Sequence, residues 1–216
     1  MVQAVADHGR LVAHHACLRI REGVGGGAAI KESVDIPGMS AHLEKLLDRL
    51  RWHGPLSMDV TLTAQGPVVI DVNPRLVEPM NAYLSGVDLV GAVLDLACQR
   101  HPPKQLAGRS GMRSRQLLLA ILGAAESEGS RIAVARELIL ALRQRGEYAD
   151  AVEQLTPLSG DPIAAIPVAA AAISTIVWPP LWRSFHAGAV GPHSLTPEAW
   201  RDIVAAIPSK AVPIGT

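Results

Sequence analysis

The chain has 216 residues, 49% of them hydrophobic and 19% charged, with 20 basic and 20 acidic side chains and 3% aromatics. That length supports one domain or two small ones with a real core. The balanced charge excludes a general pull toward nucleic acid or anionic membrane, and the few aromatics exclude stacking platforms for bases. Cys17 and Cys98 lie far apart without a CxxC, against a disulfide framework or a thiolate zinc site. The opening Met-Val-Gln-Ala-Val-Ala-Asp-His has neither a basic n-region nor an apolar h-region. A reduced, cytoplasmic protein without a secretory signal is expected.

In chain order, residues 2–6 and 11–20 are β-rich runs separated by the turn sequence Asp7-His8-Gly9-Arg10. A Gly-rich connector, Gly23-Val24-Gly25-Gly26-Gly27, follows. A helix over 41–52 is predicted from Ser40 as N-cap and from Leu43, Leu46, Leu47 and Leu50 at i, i+3, i+4, i+7; Gly54-Pro55 ends it. Residues 56–63 alternate, with Leu56, Met58, Val60 and Leu62 on one face and Ser57, Asp59, Thr61 and Thr63 on the other, the pattern of a half-buried strand. Ala64-Gln65-Gly66 turns into a second strand, Pro67-Val68-Val69-Ile70-Asp71-Val72. A helix is expected over 86–100, then the breaker His101-Pro102-Pro103, then helices near 112–126, 130–145, 163–177 and 197–206. The expected organisation is an α+β region over 1–100, a linker over 101–111 and a mostly helical extension over 112–216. The apolar run Ile163–Trp178 is about 16 residues, short of the ~20 a membrane span needs, and Pro167 interrupts it. It predicts a buried, Ala-rich core helix.

The hairpin over 56–72 carries the chemistry. A three-residue loop with Gly66 in the left-handed position places Thr63 opposite Pro67 and Asp59 opposite Asp71. Like charges directly opposed across a hairpin destabilise it. Asn73, two residues beyond Asp71, points to the same face. Two carboxylates and a carboxamide converging there suit Mg²⁺, which takes one or two carboxylates and completes its shell with water and phosphate oxygens. The alternative is a solvated strand face with Arg75 as a nearby partner, and a two-residue loop would shift the register and separate the pair.

Asp71-Val72-Asn73-Pro74-Arg75 at a strand end resembles the (E/D)-x-N-P-R signature of ATP-grasp enzymes, the family of biotin carboxylase, carbamoyl phosphate synthetase and carboxylate–amine ligases. The strand Gly54–Val60, the hairpin around Gly9-Arg10 and the Gly-rich connector before Lys31-Glu32-Ser33 are similar to the family's elements, so the resemblance spans residues 1 to about 100. It implies Asp59 and Asp71 as ligands of Mg²⁺ (or Mn²⁺) bridging ATP phosphates, with Asn73 as third ligand or phosphate-side donor. Arg75 would hold the γ-phosphate or an acyl phosphate through its planar fork. The implied reaction activates a small carboxylate with ATP for attack by an amine or another nucleophile, largely by positioning and charge neutralisation. Many members have Glu where this chain has Asp71. The family's adenine hinge, lid lysines and phosphate-covering loop precede the first hairpin, at which this chain begins. The expectation is therefore the C-terminal half of an ATP-grasp fold, weak or inactive without an N-terminal half and with an unpaired edge on its first strand. A non-catalytic interaction or scaffold module keeping the fold is the alternative.

Other residues carry weaker signals. Gly23–Gly27 lacks the GxxxxGK[ST] spacing and is read as a connector, with Lys31 as a loop-borne cation able to reach a phosphate. His14 and His15 point to opposite strand faces and cannot chelate one ion together. His53 is read as a helix-end histidine. Arg19 and Arg21 share a strand face that either meets substrate or is solvated. Glu78 and Asn81, in the loop beyond Arg75, are candidate substrate contacts. No GxSxG exists. The arginines from Arg113 to Arg145 are interspersed with Glu126, Glu128, Glu137 and Glu147, as on a solvated face.

Overall fold

In the computed structural model, residues 1–64, 66–155, 161–190 and 201 are described. The protein is α+β. Strands β1 (Val2–Asp7), β2 (Arg10–Glu22), β3 (Ala28–Val34), β4 (Gly54–Thr63), β5 (Gly66–Asn73), β6 (Arg113–Arg115) and β7 (Val152–Glu153) form one sheet in the order β5-β4-β1-β2-β3-β6-β7. Every neighbouring pair is antiparallel except β6 with β7. The first strand does not carry an unpaired edge: β1 lies between β2 and β4, bonded to both.

Helix α1 (Met39–Leu50) lays its stripe on one sheet face. Met39, Leu43 and Leu47 bury against Val2, Ala4, Leu56 and Met58, while Leu50 stays exposed at the end of the stripe. Gly38, in the left-handed region, is the N-cap, two residues earlier than the expected Ser40 cap. Helices α2 (Met80–Ser85) and α3 (Leu89–Ala97) cover Val5, Val12 and Ala13 with Ala82, Leu89, Ala92 and Leu96. They replace the single helix expected over 86–100; Gly86 at φ 99° ends α2, and Asp88 caps α3 by accepting from Gly91 N–H at 2.7 Å.

Ala28–Val34 is a strand that the alternation did not announce, because Lys31-Glu32-Ser33 puts three polar residues in its centre. The segment 101–111 is irregular yet fastened. Gln105 N–H donates to Val12 O at 2.7 Å, Arg109 N–H to Ser85 O at 2.9 Å, and Gly111 N–H to Ser33 O at 2.8 Å. Beyond it β6 pairs with β3, so the sheet continues past residue 112. Helices α4 (Leu117–Ser127), α5 (Arg131–Leu142) and α6 (Ala165–Val177) then build a second core on Ala29 and Ile30, with Leu117, Ile121, Val134, Tyr148 and Val168. Helix α6 buries only Val168, Ala171, Ala172 and Thr175, while Ile166, Ile173 and Val177 are exposed. Helix α7 (Trp182–Val190) follows; the helix expected at 197–206 lies, Arg201 apart, outside the described residues. No helix among the described residues is long and apolar enough to cross a membrane.

Candidate functional site

Cross-strand partners share a face, so the register defines a polar sheet face residue by residue. Asn73 pairs with Ser57, Ser57's strand neighbour Gln3 pairs with His15, Cys17 pairs with Ser33, and Arg19 pairs with Lys31, which faces Ser114. Asp59 and Asp71 are directly opposed two residues from Ser57 and Asn73. Gln3, His15, Lys31, Ser33, Ser57 and Ser114 are all buried, an uncommon density of polar groups for one face of a small sheet.

The Asp59–Asp71 pairing arises by a route other than the three-residue loop. Thr63 lies opposite Gly66 and Leu62 opposite Pro67, the shifted register of a shorter loop. A β-bulge between Asp59 and Val60 then leaves Ile70 as an extra residue and restores Asp59 opposite Asp71. Asn73 Nδ2 donates to Asp71 Oδ2 at 2.6 Å, so that bond does not use the amide carbonyl oxygen or Asp71 Oδ1. No cationic side chain pairs with Asp59 or Asp71 among the described residues, and Arg75, exposed, forms no ion pair with either. Two carboxylates and an amide oxygen, all hard donors on one face without a protein counter-charge, fit a Mg²⁺-type cation.

After Asn73 the chain recrosses this face. Val77 N–H donates to Gln3 Oε1 at 2.7 Å, and Glu78, at φ 47°, forms an ion pair with Lys31. A non-glycine residue held in the left-handed region stores strain that the surrounding contacts must maintain. Asn81 Nδ2 then donates to Met112 O and Ser114 Oγ, both at 3.0 Å. Lys31 is thus no loop-borne cation: it sits on β3 with 5% of its side chain exposed, its ammonium committed to Glu78. Arg19 departs from the face as well. Its guanidinium donates to Gly26 O at 2.7 Å and pairs with Glu22 at 3.5 Å. The Gly-rich connector holds an intramolecular anion, for Gly25 N–H donates to Glu126 Oε2 at 2.8 Å. The structure therefore groups Asp59, Asp71 and Asn73 at the hairpin and Lys31, Glu78 and Asn81 beside β3, with Arg75 between them in sequence and Arg19 turned away.

His15 belongs to this face and was absent from the candidates. It is 4% exposed with neither ring nitrogen hydrogen-bonded. Burial pushes its pKa down to about 4, with the positive charges of His14, Lys31 and the N-terminus in support. Its signal lay in the alternation on β2, where His15 shares a face with Ala13, Cys17 and Arg19, opposite the face of Ala16. The thiol of Cys17 is pushed up by the same burial. Neither a family model nor a curated protein matches the chain.

Proposed function

We propose that residues 1–100 form the metal-and-phosphate part of an ATP-grasp ligase-like site. The observation that carries it is the direct opposition of Asp59 and Asp71, beside Asn73 and without a protein cation. In this reading Asp59 and Asp71 hold Mg²⁺ or Mn²⁺, and Asn73 supplies its carbonyl oxygen as third ligand. The metal, when bound, neutralises phosphate charge. Arg75 is free to clamp the γ-phosphate of ATP or an acyl phosphate with its bidentate fork. Lys31, its ammonium paired with Glu78, adds a fixed positive charge to the same sheet face, and Asn81 fastens that loop to β6. The substrate class is a small carboxylate: its oxygen attacks the γ-phosphorus, ADP leaves, and an amine or other nucleophile then attacks the acyl carbon and releases phosphate.

A second reading, an interaction module that keeps the fold without turnover, has its own support. The far half of the hairpin exposes Leu62, Val68, Val69 and Ile70.

Mn²⁺ titration followed by amide NMR line broadening separates the two. The metal reading expects selective broadening around residues 57–60 and 71–75, tightened by ATP and abolished in Asp71→Asn. In the metal-free state the same variant is as stable as the wild type, or more stable by a few tenths of a kcal/mol, because one like-charge pair is gone. Broadening that is absent, or that persists in Asp71→Asn, refutes the metal assignment.

A further inference from the structure

A second constellation lies at the opposite end of β1, away from the hairpin. Asp7 closes that strand opposite Arg10, and the connecting His8-Gly9 has both residues at positive φ, 47° and 94°, the pattern of a type I′ turn. Turn chemistry favours Asn or Asp at the first of these positions, yet the chain places an imidazole there. Gly9 N–H donates to Trp52 O at 2.7 Å, which fastens the turn to the segment carrying His53. The His8 and His53 rings stack at 4.1 Å.

Asp7 is the centre of the group. Its side chain is 7% exposed. Oδ2 accepts from His101 Nδ1 at 2.7 Å and from Arg10 at 3.2 Å, and Arg10 also donates to Pro102 O at 3.0 Å. Oδ1 is buried without a hydrogen-bond partner and faces His53 Nδ1 at 3.6 Å. The His8 backbone N–H also donates to that nitrogen, at 3.4 Å. Two ligand atoms held about 2.0–2.1 Å from a tetrahedral ion stand roughly 3.4 Å apart. One ligand atom from each of Asp7, His8 and His53 lies within 4.8 Å of the others. The group lines an open cavity of about 370 Å³ together with Leu96, Gln99 and Arg100.

We propose that Asp7 Oδ1, His8 and His53 bind a divalent transition-metal ion of the Zn²⁺ type, with a fourth position open to the cavity. Two imidazoles and one carboxylate select such ions over Mg²⁺ or Ca²⁺. His101 and Arg10 act from outside the ligand shell: by occupying Oδ2 they orient Oδ1 toward the ion. The ion ties the β1–β2 turn to the segment that leads into β4.

The test is Zn²⁺ titration of the full chain, free of any histidine tag, by calorimetry, with Co²⁺ absorption as a report of coordination geometry. With excess Mg²⁺ present to fill all-oxygen sites, one equivalent of Zn²⁺ binds, and Co²⁺ gives the intense visible bands of a four-coordinate ion. His8→Asn and His53→Gln each lower Zn²⁺ affinity at least about ten-fold. His42→Gln leaves it unchanged. His8→Asn creates an Asn-Gly turn, which favours the observed hairpin, so its loss of binding is not a loss of folding. Three results overturn the proposal: no Zn²⁺ binding by the wild type, unchanged affinity in both His8→Asn and His53→Gln, or loss of binding in His42→Gln.

Discussion

Replacing His15 by Leu tests whether the polar sheet face is as dry as its geometry states. His15 is 4% exposed, and neither ring nitrogen has a partner. Burial lowers its pKa from 6.5 to about 4, reinforced by His14, Lys31 and the terminal ammonium and opposed by the neighbouring Asn81. Because the folded-state pKa lies below the unfolded one, the unfolded chain binds the proton more readily. The stability associated with neutral His15 is complete above pH 6.5 and is lost as pH falls toward 4. At about 1.4 kcal/mol per tenfold, the interval from 6.5 to about 4 bounds the loss at about 3.5 kcal/mol, with about 2 kcal/mol gone by pH 5. Leu has a similar volume and brings no polar atom to desolvate. The variant should therefore match or exceed wild-type stability at pH 7.5, by up to about 1 kcal/mol. Urea denaturation from pH 7.5 to 4.5 should show a curve for His15→Leu flatter by about 2.5 kcal/mol. The half-buried His14, whose pKa burial also lowers, contributes equally to both proteins and cancels. Parallel curves refute the desolvation, and a loss above about 1 kcal/mol at pH 7.5 reveals a hydrogen bond that the geometry lacks.

Two further expectations concern packing and charge. Lys31→Met removes a buried ammonium and frees a Glu78 that is 37% exposed, so stability holds or rises, whereas Glu78→Gln strands the ammonium and costs about 3 kcal/mol. Equal losses in chemical denaturation contradict this asymmetry. Gly123→Ala would set a Cβ 2.7 Å from Gly23 Cα and 2.8 Å from Gly23 C, where α4 crosses the Gly-rich turn. Despite a helix-propensity gain of about 1 kcal/mol, the overpacking lowers stability by about 1–3 kcal/mol, and a higher melting temperature refutes the close crossing.

Much of the framework was legible because it depends on neighbours in sequence. Asp7-His8-Gly9-Arg10 is a turn by its own chemistry, the leucines at 43 and 47 define a buried stripe by spacing, and the alternation over 56–63 fixes which side chains share a face. These are consequences of helical and strand periods, which need no tertiary partner. The pairing of Asp59 with Asp71 was reached by counting across a loop of the wrong length. The bulge at Ile70 compensated, and nothing local distinguishes that residue from the valines beside it.

What only the tertiary structure decided are the places where polar residues are buried or distant segments meet. β3 was invisible because Lys31-Glu32-Ser33 looks solvated; Lys31 is buried only because the chain returns 47 residues later and delivers Glu78. Helix α2 needed Gly86 and the cover of Val5 and Val12 to form in six residues. Asp7, His53 and His101 converge from three segments, and no spacing within one segment encodes their meeting. Alternation determines which residues share a face, but whether that face is dry depends on what crosses it, and desolvation is a property of the assembled chain.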